Sequence, residues 1–244
     1  MRSPITYENL RTYAYSNDKQ IQGDIRGIVI YFTGMGCDDR FDGTLEEGDW
    51  LAERNIAYLI PYGDPWAWMN RKQVHLADTV IDTLLDHYSL PGNTPIVSAG
   101  LSMGGHGSLL YPVHARHTPV ACVANCPVCD LFYLPNELPD APSSFYSAFY
   151  DEPGTMEEIL TQHTPLHLAE TELLPRIPYT IFQCTEDALV HKANHADRLV
   201  ALLTAHGYDI HYHLVPDRGH CDLPPEDKRA FYDACAAYID AHLA

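Results

Sequence analysis

The octapeptide Gly100-Leu101-Ser102-Met103-Gly104-Gly105-His106-Gly107 decides the expected fold of this chain. It carries the pattern G-x-S-x-G, preceded by the apolar run at residues 94–100 and followed by a segment that can form a helix. Glycines on both sides of a serine allow a sharp strand-to-helix turn, because side chains there would clash with neighbouring elements. The pattern predicts that Ser102 presents a nucleophilic hydroxyl at the end of a buried strand, above a helix N-terminus.

Strands and helices alternate along the rest of the chain, from residue 28 to its end. Short apolar runs rich in β-branched residues predict strands that are buried on both faces. These runs lie at residues 27–34, 56–60, 94–100, 120–124, 179–184 and 209–215. Residues at helical spacing predict helices at residues 44–54, 74–88, 191–206 and 226–242. The alternation indicates an α/β fold in a single domain over residues 1–244, with a mostly parallel central sheet and helices on both faces.

Two local features add detail to this pattern. Residues 5–15 alternate loosely between apolar and polar side chains, which predicts an edge strand. Pro112 lies ten residues after the serine and cannot donate a helical hydrogen bond. We therefore expect the helix after Ser102 to kink at Pro112 or to end near Tyr111.

Residues 127–176 break the alternation, since they are rich in proline and aromatic residues and show no long period. The stretch is too long for an ordinary connection between two elements. It is predicted to be an irregular cap or lid, inserted over a binding site. Full exposure of its aromatic side chains would be costly. These side chains are Phe132, Tyr133, Phe145, Tyr146, Phe149 and Tyr150.

A nucleophilic serine needs a base, and the base needs a group that orients it. In folds with this serine turn, an acid and then a histidine follow the serine, each in a loop after a strand. His220 occupies such a loop after the run at 209–215, and Asp187 directly follows the run at 179–184. We expect Ser102, Asp187 and His220 to form a catalytic triad. Two other acids stay open as the orienting group, namely Asp130 and Glu186.

The oxyanion of an acyl-transfer reaction needs two backbone N–H donors. One is expected from Met103, the residue after the nucleophile. The second is expected from the loop Thr33-Gly34-Met35-Gly36-Cys37, whose glycines let the backbone approach a substrate closely. Either Met35 or Gly34 is the predicted second donor.

Composition and charge exclude several classes of protein. Asp and Glu number 33 against 15 Lys and Arg, which gives a net charge of −18 and disfavours nucleic-acid and anionic-membrane partners. No apolar stretch reaches the length of a membrane span, and the first residues contain no signal-peptide core. Seven cysteines, an odd number, favour reduced thiols. We expect a cytoplasmic protein, and the sequence leaves its oligomeric state open.

The aromatic loop at residues 61–70 follows a strand at the same sheet edge as Ser102. Together with the 127–176 insertion, it is expected to wall a pocket for a small-molecule ester. The predicted lining residues are Tyr62, Trp66, Trp68, Phe145 and Tyr146. Few cationic residues accompany these aromatic ones, which favours short acyl chains or acylated carbohydrates over anionic substrates.

No cofactor and no metal ion are expected. Residues 38–49 only partly match a calcium loop, because Arg40 stands at a ligand position. Cys126 and Cys129 lack a second cysteine pair, and a structural zinc ion needs four converging ligands.

The elbow octapeptide and the loop at residues 33–37 resemble those of the α/β-hydrolase fold, in the putative-esterase branch that includes esterase D and S-formylglutathione hydrolases. Asp187 and His220 match that branch in their order along the chain and in the residues around them. The resemblance implies a cofactor-independent serine esterase that hydrolyses carboxylic esters or thioesters. A peptidase of the same fold and a non-catalytic binding protein are the alternatives. The presence of serine, acid and histidine together disfavours the second.

Overall fold

A seven-stranded sheet forms the centre of the computed structural model, which describes residues 4–37, 40–41 and 43–244. The strands are β1 (Ala14–Ser16), β2 (Gly27–Phe32), β3 (Ile56–Pro61), β4 (Ile96–Leu101), β5 (Ala121–Asn125), β6 (Tyr179–Cys184) and β7 (Ile210–Val215). Their order is β1-β3-β2-β4-β5-β6-β7. Only β1 runs antiparallel to its neighbour in this described sheet. The mostly parallel sheet predicted from the alternation is confirmed.

Helices cover both faces of the sheet. They are α1 (Glu46–Ala52), α2 (Arg71–Tyr88), α3 (Met103–His114), α4 (Ala141–Phe149), α5 (Met156–Gln162), α6 (Pro165–Glu170), α7 (Ala196–Ala205) and α8 (Pro225–Leu243). The apolar faces of α2, α3 and α7 pack on one side, and those of α1 and α8 on the other. Because both faces are covered, every residue of β2, β3, β5 and β6 is buried. This burial explains why these strands appear in the sequence as unbroken apolar runs.

Two predicted elements differ from the structure. Residues 5–15 are mainly a 3₁₀-helix at Tyr7–Thr12, and only the short β1 joins the sheet edge. The helix predicted from residue 191 begins at Ala196 instead. The side chain of His195 is buried and accepts hydrogen bonds from the backbone N–H groups of Cys129 and Asp130. These tertiary contacts hold the segment before Ala196 in a non-helical conformation, which periodicity alone does not reveal.

The helix that contains Pro112 continues past it to His114, so of the two predicted outcomes, a kink at Pro112 or an end near Tyr111, the second is wrong. Proline leaves the carbonyl of Ser108 without its usual helical donor. That carbonyl accepts hydrogen bonds from Ser98 Oγ at 2.9 Å and from Cys122 Sγ at 3.2 Å. Because β4 and β5 supply the missing donors, the helix tolerates the proline.

Residues 127–176 contain α4, α5, α6 and a 3₁₀-helix at Leu134–Asn136, where an irregular stretch was expected. The three α-helices are six to nine residues long and the 3₁₀-helix has three residues. None is therefore long enough to show a sustained period in the sequence. Phe145 and Phe149 are buried in a third apolar cluster together with Trp68. Tyr146 and Tyr150 point outward and are 63% and 75% exposed. The stretch is therefore a packed helical layer at one edge of the sheet.

None of the described helices is both long and apolar enough to cross a membrane. All seven cysteines belong to the described residues and are free. The partial calcium-loop match depends on Asp38, Asp39 and Asp42, which lie outside the described residues.

Candidate active site

The candidate site lies where the order of the parallel strands reverses. Strand β2 pairs with β3 on one side and with β4 on the other, so the chain leaves β2 toward one side of the sheet and then crosses back to β4 on the other. Crevices at such switch points, outside the carboxyl ends of the strands, are the usual ligand sites of open α/β sheets. Ser102 follows β4 there, and the loop at residues 33–37 follows β2.

The turn at Ser102 has the conformation predicted from its glycines. Ser102 has φ 56° and ψ −121°, which is strained for a residue with a side chain. A methyl group on Gly104 would overlap the carbonyl group of Phe32, and one on Gly100 would overlap the carbonyl group of Gly104. Glycine is therefore required at both positions for β4, α3 and β2 to approach one another. The backbone of Ser102 is held further by its N–H, which donates to the carbonyl of Asn125 at 2.9 Å.

Three side chains form a continuous hydrogen-bonded chain at this turn. The Ser102 hydroxyl lies 2.8 Å from His220 Nε2, and His220 Nδ1 lies 2.7 Å from Asp187 Oδ2. With Nδ1 protonated and donating to the carboxylate, Nε2 is free to accept the serine proton. The arrangement supplies a nucleophile, a base and a group that orients the base.

Asp187 is held for this role by its own loop. Its other oxygen, Oδ1, accepts the backbone N–H groups of Leu189 and Val190 at 3.0 and 2.9 Å. Burial alone would raise the pKa of Asp187. The hydrogen bonds from His220 and from the Val190 N–H outweigh that effect, so the pKa is lowered and the carboxylate stays ionised.

The two competing acids lie elsewhere. Asp130 forms an ion pair with Arg198 at 2.8 Å and accepts the backbone N–H groups of Phe132 and Tyr133. Glu186 is exposed beside the Asp187 loop, and its backbone N–H donates to the carbonyl of Arg218. Neither carboxylate contacts His220, so the geometry selects Asp187 from the three candidates.

Backbone N–H groups without an acceptor lie in two segments near the serine, among the described residues. Met103 is the first residue of α3, and first-turn N–H groups have no acceptor within their own helix. In the loop at residues 33–37, the Gly36 N–H donates to the Pro65 carbonyl at 2.7 Å and is therefore occupied. The N–H groups of Gly34 and Met35 have no acceptor among the described residues. A methyl group on Gly34 would lie 3.7 Å from the Cβ of Ser102, which shows how closely this loop approaches the serine.

A cavity of about 200 Å³ opens beside the serine turn. Its wall includes Leu101, Asn125 and Cys221 near the triad, and Glu47 and Tyr31 further away. Its other lining residues are Leu223, Lys228, Phe231 and Tyr232. The amide oxygen of Asn125 is buried and has no hydrogen-bond partner. The cavity thus has a partly aromatic wall beside the serine turn, and the Asn125 oxygen is shielded from it.

A second cleft, of about 400 Å³, lies between the 33–37 loop and the helical layer. Trp66 and Met35 line it and are 46% and 41% exposed. On the opposite wall are Leu138, Pro139, Asp140, Ala141, Ser143 and Ser144. This cleft is mainly apolar and contains one of the predicted pocket residues, Trp66.

The other predicted pocket residues occupy different positions. Trp68 and Phe145 are buried against each other, with ring centroids 5.1 Å apart, and the indole N–H of Trp68 donates to Ser144 Oγ at 2.8 Å. Tyr146 is exposed and lines neither the 200 Å³ cavity nor the 400 Å³ cleft. Tyr62 lines a small cavity of about 140 Å³, and its hydroxyl accepts the Phe41 N–H. Trp68 and Phe145 therefore contribute to packing rather than to an open wall.

Solved structures similar to this chain include peptidases and an esterase. A puromycin-hydrolyzing peptidase from Mycobacterium tuberculosis superposes with a TM-score of 0.69 at 18% identity over 88% of this chain. An acylaminoacyl peptidase does so with a TM-score of 0.70 at 12% identity over 90% of it. Esterase B from Lactobacillus rhamnosis gives 0.68 at 14% identity over 91%. The chain has the α/β-hydrolase fold.

The α/β-hydrolase likeness concerns the fold alone at these identities. This chain spans 35% and 37% of the two peptidase chains and 79% of the esterase chain. No protein-family profile matches it, and no curated protein sequence does. The narrower resemblance to the esterase D branch stays a prediction.

Sequence reasoning missed several residues of this candidate site. Asn125 ends a buried strand next to β4, and a polar residue at the carboxyl end of such a strand could have marked it. Glu47 and Lys228 form an ion pair of 3.0 Å at the far wall of the cavity, although 181 positions of sequence separate them on different helices. No local sequence pattern predicts the ion pair between Glu47 and Lys228. Cys126, His220 and Cys221 also place potential metal-binding atoms within 4.8 Å of one another.

Proposed function

We propose that this protein is a serine hydrolase that cleaves carboxylic esters through an acyl-enzyme intermediate. The observation that carries this proposal is the hydrogen-bonded chain from Ser102 through His220 to Asp187, at 2.8 and 2.7 Å. A serine hydroxyl is a weak nucleophile at neutral pH unless an adjacent base accepts its proton. His220 supplies that base, and its hydrogen bond to Asp187 fixes its orientation.

The geometry supports a two-step reaction. As Ser102 Oγ attacks the ester carbonyl, its proton passes to His220 Nε2, and Asp187 stabilises the resulting imidazolium. The N–H groups of Met103 and of Met35 or Gly34 hold the negative charge that develops on the carbonyl oxygen. His220 then gives the proton to the leaving alkoxide. Water, activated by the same imidazole, releases the acid and restores the serine.

The cavities support a preference for short acyl groups. The 200 Å³ cavity beside Leu101 and Asn125 suits a short acyl chain, whereas a long lipid would need an extended apolar groove. The cleft at Met35 and Trp66 suits the alcohol part of the ester, because aromatic side chains stack on flat apolar faces such as those of sugars. In this proposal, residues 127–176 act as a cap that forms one wall of the cleft.

A peptidase is the second candidate function, and one group in the 200 Å³ cavity favours it. The carboxylate of Glu47 lines the cavity and would attract a substrate amine. Glu47 is, however, already paired with Lys228 at 3.0 Å, which weakens its attraction for an amine. We therefore place ester hydrolysis first.

The test combines covalent labelling with a substrate panel. A fluorophosphonate should modify Ser102 in the wild-type protein, and peptide mapping should find the label at that residue. p-Nitrophenyl acetate and butyrate should be cleaved well above long-chain esters, acylated sugars should be cleaved as well, and aminoacyl p-nitroanilides much more slowly. Ser102→Ala should lower ester turnover on the order of 10³-fold or more.

Three outcomes would contradict this proposal. Efficient cleavage of the anilides with negligible ester turnover would favour the peptidase. Label on a different serine, or full activity in Ser102→Ala, would place the chemistry elsewhere. Absence of both labelling and turnover in the folded wild-type protein would favour a non-catalytic binding protein.

A further inference from the structure

Two cysteines stand beside the imidazole of the candidate triad. The Sγ atom of Cys221 lies 3.5 Å from His220 Nε2, the nitrogen that faces the Ser102 hydroxyl. The Sγ atom of Cys126 completes a group in which the three ligand atoms lie within 4.8 Å of one another. The serine mechanism uses neither thiol.

These separations match the geometry of a tetrahedral zinc site. With Zn–S bonds of about 2.3 Å and Zn–N bonds of about 2.0–2.1 Å, tetrahedral angles place sulfur and nitrogen about 3.6 Å apart and two sulfurs about 3.8 Å apart. The observed distance from Cys221 Sγ to His220 Nε2 is 3.5 Å. The Sγ atom of Cys126 lies within 4.8 Å of the other two ligand atoms, so a shift of roughly 1 Å in that sulfur would complete three zinc ligands.

Groups behind the ligands already support metal binding. Metal-binding histidines usually donate their other ring N–H to a carboxylate, which fixes the ring and makes the free nitrogen more basic. His220 Nδ1 makes that contact with Asp187 at 2.7 Å. The backbone N–H of Cys184 donates to Cys126 Sγ at 3.4 Å, a bond that a metal-bound thiolate would retain.

The backbone also directs both thiols to one place. Cys126 has φ 43° and Cys221 has φ 58°, in the left-handed region that residues with side chains rarely adopt. Cys126 directly follows β5, and Cys221 directly follows His220. Cys221 is partly exposed and lines the 200 Å³ cavity, whereas Cys126 is buried behind it.

We propose that Cys126, His220 and Cys221 bind a zinc ion that switches the hydrolase off. Binding replaces the two thiol protons, which pass to solvent, and leaves a fourth coordination position for water. The ion takes the lone pair of His220 Nε2, which the Ser102 hydroxyl otherwise uses. Metal binding and base catalysis therefore exclude each other. The inhibitory consequence rests on the proposed function, whereas the metal site does not.

Metal binding is tested without any activity measurement. Calorimetric titration of Zn²⁺ into the thiol-reduced protein should show one site in the wild type and in Ser102→Ala. Cys221→Ser should weaken it tenfold or more. Cys37→Ser, at the other partly exposed cysteine, should bind as the wild type does. Co²⁺ should give a thiolate charge-transfer band that Cys221→Ser reduces. Equal affinity in the two cysteine variants, or cobalt bound with no thiolate band, would overturn the site.

The second arm measures ester hydrolysis, with each variant compared with itself before metal is added. Saturating Zn²⁺ should inhibit the wild type and Cys37→Ser at least tenfold, a chelator should restore activity, and Cys221→Ser should need at least tenfold more zinc. Full turnover by zinc-loaded protein would overturn the switch. If no ester is hydrolysed but the calorimetric and cobalt results hold, the proposed hydrolase fails and the metal site stands.

Discussion

The triad loops and the helical layer at residues 127–176 lie next to each other but are held by different forces. Ser102, Asp187 and His220 sit at the ends of parallel strands and are fixed by short hydrogen bonds to each other and to backbone groups. The helical layer is held mainly by apolar burial, centred on Trp68, Phe145 and Phe149. Hydrogen bonds fix atoms to within a few tenths of an ångström, whereas apolar packing is non-directional.

This difference predicts whether a substitution in each region reduces mainly activity or mainly the free energy of unfolding. A change in the triad loops removes a defined donor or acceptor, so it should reduce activity and leave the fold intact. A change in the helical layer removes packing, so it should reduce the free energy of unfolding first. His106 lies at the border: it belongs to α3, its Nδ1 lies 3.2 Å from the Val128 carbonyl, and its ring meets Trp68 edge-on.

The largest expected effect is on activity, in Asp187→Asn. The amide cannot stabilise the imidazolium, and it favours the wrong tautomer of His220. We expect kcat/KM for p-nitrophenyl butyrate to fall on the order of 10³-fold, with an unchanged midpoint of thermal unfolding to within a few degrees.

Asp130→Asn is the matched control, because it removes a carboxylate at a neighbouring strand end that pairs with Arg198. Its activity should change less than about tenfold, since a partly exposed ion pair contributes little. A larger loss in Asp130→Asn than in Asp187→Asn would reverse the assignment of the acid.

The second expected effect is a pH-dependent loss of stability at the border residue. Burial, with a smaller contribution from His163, lowers the pKa of His106 to about 3. An unfolded histidine binds its proton near pH 6.5, so between these two values the unfolded chain holds more protons than the folded one. The free energy of unfolding should therefore fall as the pH falls from about 6.5 toward 3, by up to about 1.4 kcal/mol per pH unit for this residue.

Urea unfolding at pH 7, 6, 5 and 4 measures this slope in the wild type and in His106→Gln. The variant should be less stable at pH 7 but lose less stability in acid. His114, His163 and His195 also have lowered pKa values, mainly through burial, and they remain in both proteins. The difference between the two slopes therefore isolates His106. Equal slopes would show that its imidazole titrates normally in the folded state.

The smallest expected effect lies within the helical layer, in Ser144→Ala. The substitution leaves the buried indole N–H of Trp68 without its acceptor, which costs about 1–3 kcal/mol. Ser147→Ala, at an exposed position of the same helix, should change the free energy of unfolding by less than about 0.5 kcal/mol. Denaturant unfolding measures both, and hydrolysis should change less than about tenfold in either. A Ser144→Ala protein of full stability but little activity would contradict the prediction that changes in the helical layer reduce stability before activity.

The same contrast explains what the sequence could predict. The turn at Ser102 follows from the glycines at 100 and 104, because only glycine fits against the carbonyl groups found there. The order of serine, acid and histidine places Asp187 and His220 at the same sheet edge, since the carboxyl ends of parallel strands meet there. Backbone constraints of this kind can be recognised from a short stretch of sequence.

Packing contacts join residues that are far apart in the sequence. The predicted helices and pocket residues were therefore less accurate where such contacts decide the structure. The helices at residues 127–176 are too short to show a period, and Trp68 looks the same in the sequence whether it lines a pocket or fills the core. Pro112 is tolerated only because Ser98 and Cys122, from two strands, supply the donors for the Ser108 carbonyl. The sequence favoured Asp187 as the orienting acid but left Asp130 open, and the contact between Asp187 and His220 at 2.7 Å decides between them.

The strained backbone of Ser102 sets thermal stability against the proposed function. At φ 56° and ψ −121° a side chain costs about 1–3 kcal/mol, which glycine would not. Most substitutions destabilise a protein, but Ser102→Gly should raise the melting temperature while removing the proposed nucleophile. A laboratory selection for heat resistance alone would therefore enrich inactive sequences at this position. Only a screen that also scores turnover would keep the serine.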